Sequence, residues 1–183
     1  MRIIDLILSD TALMDQAATL LVDAFREHWP NAWPTLESAS TEVQDALQQD
    51  KIARAALDEA GTLLGWIGAI SEYDGNAWEL HPLVVNPKAQ GMGVGSALLS
   101  DLEHQVRIRG GITIYLGTDD EDHMTSLSDV DLYQNLTEKI ALIRNLKRHP
   151  FEFYMKRGYT VTGVIPDANG PGKPDIIMAK RIG

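Results

Sequence analysis

One stretch decides the fold of this sequence: Asn86-Pro87-Lys88-Ala89-Gln90-Gly91-Met92-Gly93-Val94-Gly95-Ser96. It follows an apolar run that ends at Val85, and it leads into an amphipathic helix that we predict over residues 94–109. Its three alternate glycines let backbone N–H groups approach a diphosphate at the positive end of that helix. The stretch therefore predicts a phosphate-binding turn, the alternative being an ordinary turn that happens to contain glycines.

The periodicity on both sides of this turn predicts an α/β protein with a mixed sheet. Before the turn, we predict a strand at 2–8, a helix capped by Asp10 or Thr11 that ends near Trp29, a loop at 28–38, a helix at 42–49, a hairpin of strands at 52–57 and 63–70, and a strand at 77–85. After the helix at 94–109, we predict a strand at 112–116, a polar and partly helical stretch at 118–148, a short helix from Pro150 to Gly158, and strands at 159–165 and 175–180. No repeat or linker divides these elements, so we expect one domain over residues 1–183.

The composition limits the chemistry of the chain. Its 183 residues, 44% of them hydrophobic, suffice for one buried core without disulfides or a structural metal. The sequence contains no cysteine, which excludes a thiolate zinc site and a cysteine nucleophile that could carry an acyl group. Any acyl transfer by this chain is therefore expected to be direct, with both substrates bound together.

The net charge limits the partners. A formal charge of -10 at pH 7 disfavours nucleic acid, because binding to phosphates requires Lys and Arg, and it suits a cationic ligand. Asp5 and Asp10 interrupt the apolar N-terminal run, and no later run has the length of a membrane span. We therefore expect a cytoplasmic protein that binds neither nucleic acid nor a membrane.

The strand before the turn carries two titratable side chains. Alternate residues of a strand share a face. The prediction places Glu79 and His81 on one face with Leu83 and Val85, and it places on the other face Trp78, Leu80, Pro82 and Val84. Proline cannot donate to a sheet ladder, so Pro82 inside a strand predicts an edge, a bulge or a splayed pair of strands.

An acidic segment follows the fifth predicted strand. It has no Lys or Arg and six carboxylates, which are Asp119, Asp120, Glu121, Asp122, Asp129 and Asp131. Its place at the carboxyl end of a strand, where α/β folds bind ligands, favours contact with a cationic substrate, although a solvated face would have the same composition. The spacing lacks the Asp-x-Asp-x-Asp-Gly pattern of a calcium loop, so we predict no metal.

The turn and four further blocks resemble the GNAT superfamily of N-acetyltransferases, and among these the chromosomal type of aminoglycoside 6'-N-acetyltransferase. The turn has the Gln-x-x-Gly-x-Gly pattern of the pyrophosphate loop of that superfamily. The more specific blocks are Trp78-Glu79-Leu80-His81-Pro82-Leu83-Val84-Val85, Gly110-Gly111-Ile112-Thr113-Ile114-Tyr115-Leu116-Gly117-Thr118-Asp119-Asp120, His149-Pro150-Phe151-Glu152-Phe153-Tyr154 and Lys173-Pro174-Asp175-Ile176. The resemblance covers most of the chain from residue 52 to residue 180, and the first fifty residues, which form the acceptor side in this family, match in outline.

The resemblance implies a fold, a co-substrate and an assembly. The fold would be that of GNAT acyl-CoA N-acyltransferases, a mixed and mostly antiparallel sheet with splayed fourth and fifth strands and helices on both faces. Family members of this type form homodimers, so we expect a dimer. The co-substrate would be acetyl-CoA, held by Leu83, Val84, Val85, Gln90, Gly91, Met92, Gly93, Val94, Gly95, Ser96 and Tyr154.

The resemblance also implies catalytic roles. We expect Glu79 to hold the substrate ammonium and to relay its proton through water, because a carboxyl with a pKa of about 4.3 is a poor base for an ammonium with a pKa of about 10. His81 is the second candidate for this relay. By analogy, the backbone N–H of Leu83 would hold the thioester oxygen, and the hydroxyl of Tyr154 would lie near the sulfur.

The acceptor implied by the resemblance is a small polycationic amine, an aminoglycoside whose acetylation gives antibiotic resistance. We expect it to contact Glu79, His81, Asp119 and Asp120, and to stack a sugar ring on Trp29 or Trp33. Two alternatives stay open at this point. The acceptor could be a polyamine, a peptide N-terminus or a lysine, or the chain could be a module that binds CoA without chemistry.

Overall fold

The computed structural model describes the whole chain from Met1 to Gly183. Its seven strands form one mixed sheet in the order β1-β2-β3-β4-β5-β7-β6. The backbone divides into two compact units, residues 1–114 with 182–183, and residues 115–181. The prediction of one domain stays a prediction. None of the helices combines the length and the apolar character that crossing a membrane requires.

The first unit contains most of the sheet. Its elements in chain order are β1 (Arg2–Asp5), α1 (Thr11–Phe25), α2 (Leu36–Ala46), β2 (Lys51–Leu57), β3 (Leu63–Glu72), β4 (Ala77–Val85) and α3 (Val94–Ile108). The pairs β1-β2, β2-β3 and β3-β4 are antiparallel. These bounds confirm the predicted hairpin, the strand at 77–85 and the helix after the glycine-rich turn.

The second unit holds the shorter elements of the C-terminal part. Strand β5 (Thr113–Asp119) leads into it, and it continues with α4 (Leu136–Ala141), α5 (Phe151–Met155), β6 (Thr160–Ile165) and β7 (Asp175–Arg181). Strands β6 and β7 are antiparallel. The mostly antiparallel sheet is therefore confirmed, and the splaying of the fourth and fifth strands stays a prediction.

Helices cover both faces of the sheet in the first unit. Helices α1 and α2 pack around Trp66, which is fully buried in a cluster with Val84. Helix α3 lies on the other face, where a Cβ at Gly65 would be 3.3 Å from the side chain of Leu98. The two apolar layers hold the strands that precede the glycine-rich turn, as burial of apolar surface on both faces of a sheet requires.

Helix α2 begins six residues earlier than predicted, so the predicted helix at 42–49 is wrong at both ends. The cause is a reciprocal cap, in which the Thr35 hydroxyl accepts from the Ser38 N–H at 3.2 Å while Ser38 Oγ accepts from the Thr35 N–H at 3.3 Å. The cap satisfies N–H groups that a helix start leaves without partners. The helix then buries Ala39, Val43 and Ala46 on one side.

Strand β4 contains the irregularity that Pro82 predicts. Ile67 faces Leu83 and Ala69 faces Leu80, so two residues of β4 lie opposite the single residue Gly68 of β3. This is a β-bulge. The bulge confirms the prediction made from the proline.

The bulge also changes which residues of β4 share a face, because an inserted residue shifts the alternation by one. Glu79 pairs with Ile70 and Val84 pairs with Trp66, so Glu79 and Val84 lie on the α1–α2 face. Val85 pairs with Gly65 on the α3 face. The prediction that Leu83 and Val85 share a face with Glu79 is therefore wrong beyond the bulge.

Candidate active site

The glycine-rich turn ends in the uncapped N-terminus of a long helix. Asn86 begins it by accepting from the Lys88 N–H at 3.0 Å, and the chain then passes through Gly91 and Gly93, whose φ angles are +78° and +86°. Gly93 is the N-cap of α3, and it has no side chain with which to satisfy the first-turn N–H groups. These donors and the helix dipole together suit an anion such as a diphosphate.

The surface beside the turn is open. A Cβ at Gly91 or Gly93 would meet no atom within 4 Å, and Gln90, Gly91, Met92 and Gly93 are exposed. Val94 anchors the turn in the core with 3% of its surface exposed. The predicted cofactor contacts of this segment therefore rest on its backbone and on exposed side chains, with Gly95 and Ser96 half-buried behind them.

Gly68 lets β3 approach the bulge of β4 closely. A Cβ at this position would lie 2.4 Å from the carbonyl oxygen of His81 and 3.5 Å from Pro82. Atoms cannot approach so closely, so a side chain at position 68 would push the His81 carbonyl away. The shape of the bulge therefore depends on a glycine in the neighbouring strand.

His81 turns towards helix α2. Its Nε2 lies 3.5 Å from Oε1 of Glu42, and its ring centroid lies 5.9 Å from that of Trp33. Glu79 lies two residues before it and acts on it as a second nearby negative charge. The structure thus confirms that Glu79 and His81 are neighbours, and it adds two partners that the sequence analysis did not include, Glu42 for the imidazole nitrogen and Trp33 for the ring.

The charges of this cluster shift both titrating groups. The hydrogen bond and the negative charge of Glu42, with a further contribution from Glu79, raise the pKa of His81. The pKa of Glu42 is lowered, mainly by its hydrogen bond to His81 and in part by one from Trp33. Contact with the Glu42 carboxylate therefore stabilises the protonated form of His81 relative to that of an isolated histidine, which is the expected effect of opposite charges in contact.

Of the two tryptophans considered for stacking on a sugar ring, Trp33 lies in this cluster and Trp29 does not. Trp29 packs against Phe25 with ring centroids 5.5 Å apart, and against His28 at the same distance. Trp33 also packs against Phe25, at 4.6 Å, and its other contacts are with His81 and Glu42. The geometry therefore favours Trp33 over the expected Trp29.

In the second unit, Asp120 organises the loop after β5. Its side chain is 0% exposed, and its two oxygens accept from the N–H groups of Met124 at 2.7 Å and Thr125 at 2.8 Å, and from the hydroxyl of Ser128 at 2.5 Å. These bonds also keep its pKa low in spite of burial. The expectation that Asp120 contacts a substrate is corrected, because its carboxylate is used within the protein.

Asp119 keeps a half-buried position at the end of β5. Its Oδ1 accepts from Nδ2 of Asn169 at 2.5 Å, and the charge of Asp119 contributes, after burial, to a raised pKa of Glu121. Asp119 and Glu121 are therefore two half-buried carboxylates that are close enough for the charge of one to affect the pKa of the other. No group of three His, Asp or Glu side chains is arranged to hold a metal.

His149 ties the end of β5 to the start of α5. Its Nδ1 accepts from the Phe151 N–H at 3.2 Å, so Nε2 carries the ring proton and donates to the Asp119 carbonyl at 3.0 Å. Asn145 also accepts from the His149 N–H and donates to its carbonyl, both at 2.8 Å. The ring is 1% exposed, and burial lowers its pKa, so it is held neutral.

Replacing His149 by leucine is expected to lower the free energy of unfolding by about 2–4 kcal/mol, because the Phe151 N–H and the Asp119 carbonyl each lose a hydrogen bond to the buried ring. Urea unfolding measures the change, with the exposed His104→Leu as the control. The pKa of His149 is depressed in the folded state, so its stabilising effect is lost as the pH falls below about 6.5, where the unfolded imidazole takes up a proton. Equal stability of the two variants would contradict this role.

Tyr154 lies on α5 in an aromatic cluster. Its ring packs edge-on against Phe153 at 5.1 Å and against Tyr159 at 5.6 Å, and 7% of its surface is exposed. Burial raises the pKa of its hydroxyl, which is therefore protonated at neutral pH. The structure thus gives Tyr154 a packing role and leaves it as a hydrogen-bond donor, whereas its place near a thioester sulfur stays a prediction.

The sequence contains weak signals for two of the three further residues that the structure brings into the site or its support, Glu42, Gly68 and His149. Glu42 is spaced three residues after Ala39 and four before Ala46, which puts it at the edge of the inner face of α2. Gly68 stands inside a strand pattern, where a glycine indicates a bulge or a close backbone approach. His149 directly precedes a proline that starts a helix, and nothing in that local pattern indicates its contact with β5.

Comparisons with known proteins agree with these features. The model of the Acetyltransferase (GNAT) family matches residues 14–135. Among solved structures, an aminoglycoside 6'-N-acetyltransferase complexed with coenzyme A is 45% identical with a TM-score of 0.91, and the alignment covers 100% of this chain and 98% of that chain. No curated protein sequence is significantly similar to the chain.

Two further solved structures are similar over the same extent, each with 100% of this chain and 98% of the other covered. The aminoglycoside 6'-N-acetyltransferase from Enterococcus faecium is 45% identical with a TM-score of 0.89. An aminoglycoside 6'-acetyltransferase type Ii is 38% identical with a TM-score of 0.74. The similarity therefore includes the first fifty residues, which carry Trp33 and Glu42.

Proposed function

Because the chain belongs to the GNAT acetyltransferase family, we propose that it transfers the acetyl group of acetyl-CoA to the 6'-amine of aminoglycosides and thereby confers resistance to them. The observation that carries the proposal is the identity of 45% over the whole chain with an aminoglycoside 6'-N-acetyltransferase. The half-buried Glu79 and His81 on the bulged strand β4, directly before the open glycine-rich turn, support it.

The turn suits the diphosphate of coenzyme A. The N–H groups at the start of α3 supply the donors, and Gly91 and Gly93 leave the surface open to a large anion. Acetyl-CoA supplies the activated acetyl group. The backbone of Leu83, Val84 and Val85 is the part of β4 that we assign to the rest of the co-substrate, because the side chain of Val84 is buried in the core.

The acceptor amine must lose a proton before it can attack. Glu79 is placed to hold the ammonium form of the amine. A half-buried carboxylate attracts an alkyl ammonium and fixes its position, which is the larger part of what Glu79 contributes. Transfer then forms the N–C bond and breaks the C–S bond in one ternary complex. The absence of cysteine agrees with such direct transfer.

Replacing Tyr154 by phenylalanine is expected to lower kcat by about tenfold to a hundredfold, the lower part of the range for general acids. The raised pKa of the hydroxyl makes full transfer of its proton to a thiolate unfavourable, so Tyr154 assists the departing sulfur by hydrogen bonding. Steady-state kinetics with a saturating aminoglycoside measure the change, and Tyr133→Phe on the exposed surface is the control. An unchanged kcat would remove Tyr154 from the mechanism and leave its packing role.

Polycationic substrates suit the charge of the protein. The net charge of -10 and the carboxylates of Asp119 and Glu121 favour ligands with several positive charges, and such attraction weakens as salt is added. We assign Asp119 to substrate binding, with Trp33 as the aromatic partner of a sugar ring.

The release of CoA from acetyl-CoA with a panel of amines tests the proposal. Kanamycin-like and tobramycin-like aminoglycosides should give the highest kcat/KM, well above spermidine and a lysine peptide. A higher value for spermidine or for the peptide would favour one of the other acceptor classes. Failure of every amine to release CoA would indicate a module that binds the co-substrate without chemistry.

We propose in addition that the protein acts in the cytoplasm as a homodimer. The location follows from the supply of acetyl-CoA, and the assembly follows from the family resemblance. Light scattering coupled to gel filtration should give about twice the chain mass of 20.2 kDa. A mass equal to that of one chain would contradict the dimer.

A further inference from the structure

We propose that Glu42 is a positioning residue for acetyl transfer: it holds Nε2 of His81, so that Nδ1 of the same ring receives the proton of the acceptor amine. This inference rests on the proposed acetyltransferase function and assigns the proton to a definite atom. It joins helix α2, in the N-terminal part of the chain, to the bulged strand β4.

The geometry fixes the imidazole from two sides. Oε1 of Glu42 lies 3.5 Å from Nε2 of His81, and the ring of Trp33 lies 5.9 Å from the imidazole, centroid to centroid. Trp33 also lies near enough to the Glu42 carboxylate to lower its pKa by hydrogen bonding. The Glu42 side chain is 24% exposed and that of His81 is 44% exposed, so the pair is accessible at the imidazole end.

The bulge places His81 in reach of this carboxylate. Gly68 admits the His81 carbonyl at a distance that a Cβ would not allow. The capped start of α2 at Thr35 sets the phase of the helix, which turns Glu42 towards β4. Two separate features of the backbone therefore converge on one contact between the side chains.

The charges around the imidazole come from three elements. Glu42 on α2 and Glu79 on β4 are negative and stabilise a proton on His81, whereas Lys51 on β2 opposes it. Two carboxylates outweigh one lysine in this balance. His81 is therefore prepared to carry a positive charge when it receives a proton.

The proton balance follows from the tautomer. With the Nε2 proton held by Glu42, the lone pair of neutral His81 is on Nδ1. One proton leaves the acceptor ammonium for Nδ1, directly or through one water, and the resulting imidazolium is stabilised by the Glu42 carboxylate. The amine lone pair then forms the bond to the acetyl carbon as the C–S bond breaks, and the nitrogen passes its second proton to the leaving thiolate, which departs as the thiol of CoA. The proton on Nδ1 later leaves to solvent.

An imidazole is a better acceptor for this proton than a carboxylate. An alkyl ammonium has a pKa of about 10, so its pKa exceeds that of a glutamate by about 5.7 and that of an ordinary histidine by about 3.5. The neighbouring carboxylates raise the pKa of His81 and narrow this difference further. Glu79 is therefore free to hold the ammonium while His81 receives the proton.

The experiment compares Glu42→Gln with Glu37→Gln, a matched change at an exposed glutamate on the same helix. Titration of the His81 ring by NMR, without substrate, should give a lower pKa in Glu42→Gln than in the wild type, and an unchanged one in Glu37→Gln. The kcat/KM for an aminoglycoside should fall about tenfold in Glu42→Gln, and the acidic limb of its pH profile should move to lower pH. The KM for acetyl-CoA should not change.

The two readouts separate the possible failures. If Glu42 is merely structural, Glu42→Gln would lower the melting temperature and leave the acidic limb of the pH profile unchanged. That result would overturn the proposal. An unchanged pKa of His81 in Glu42→Gln would overturn it as well. If the wild type transfers no acetyl group while the NMR shift is still observed, the acetyltransferase function fails and the ion pair stands without the catalytic role assigned to it.

Discussion

Replacing Glu79 by glutamine is expected to lower kcat/KM for an aminoglycoside by about a thousandfold, within the range for residues of proton-transfer networks. The substitution removes the charge that holds the substrate ammonium and keeps the size of the side chain. Glu79 is half-buried on β4, and its charge also supports a proton on His81. Steady-state kinetics with the aminoglycoside varied at saturating acetyl-CoA measure the loss.

The control for this change is Glu72→Gln at the exposed end of β3, which should retain the activity of the wild type. Calorimetry should give the same affinity for acetyl-CoA in Glu79→Gln as in the wild type, because the glycine-rich turn is untouched. A kcat/KM for Glu79→Gln within threefold of that of the wild type would show that this carboxylate does not hold the substrate ammonium for the reaction.

Replacing Gly68 by alanine is expected to lower kcat/KM by about a hundredfold, although residue 68 itself is not assigned to substrate binding. The added Cβ would lie 2.4 Å from the His81 carbonyl oxygen, so the bulge must move, and a displacement of about 1 Å at a reacting group has an effect of this size. Crowding in the strand pair should also cost about 1–3 kcal/mol of stability. Kinetics and thermal unfolding measure the two effects.

Gly163→Ala is the matched control for Gly68→Ala. Gly163 lies in β6 beside another irregularity of strand register, and a Cβ there would meet no atom within 4 Å. This variant should keep both activity and stability. A Gly68→Ala enzyme with full activity would mean that the position of the His81 carbonyl does not matter to the reaction.

The parts of the fold that can be predicted are the helices and strands whose hydrophobic residues recur with a local period. The residues at 77–85 predict strand β4, whose buried and half-buried residues alternate in the structure, and apolar residues at helical spacing after a glycine predict α3. The same alternation put Glu79 beside His81. The predicted alternation fails beyond Pro82, because two residues of β4 lie opposite the single residue Gly68 of β3. The pattern of residues within β4 alone does not contain that information.

The rest of the site depends on contacts that are distant in sequence. The pairing of Glu42 with His81 joins residues on two elements. The sequence does not indicate the start of α2, because Ser38 stands where the usual capping box has Glu or Gln. Asp119 and Asp120 are neighbours with the same side chain, yet only the loop conformation decides that Asp120 is buried. Composition identifies the acidic segment, whereas burial and hydrogen bonds distinguish the role of Asp120 from that of Asp119.

One matched pair of substrates shows whether the enzyme acetylates the 6'-amine. Neomycin carries an amine on its 6' carbon, whereas paromomycin carries a hydroxyl there and is otherwise the same molecule. With neomycin, the enzyme should release CoA stoichiometrically and yield a product with one acetyl group on the 6' nitrogen, whereas CoA release with paromomycin should be slower by orders of magnitude. Equal rates for the two compounds, or no release with either, would contradict it.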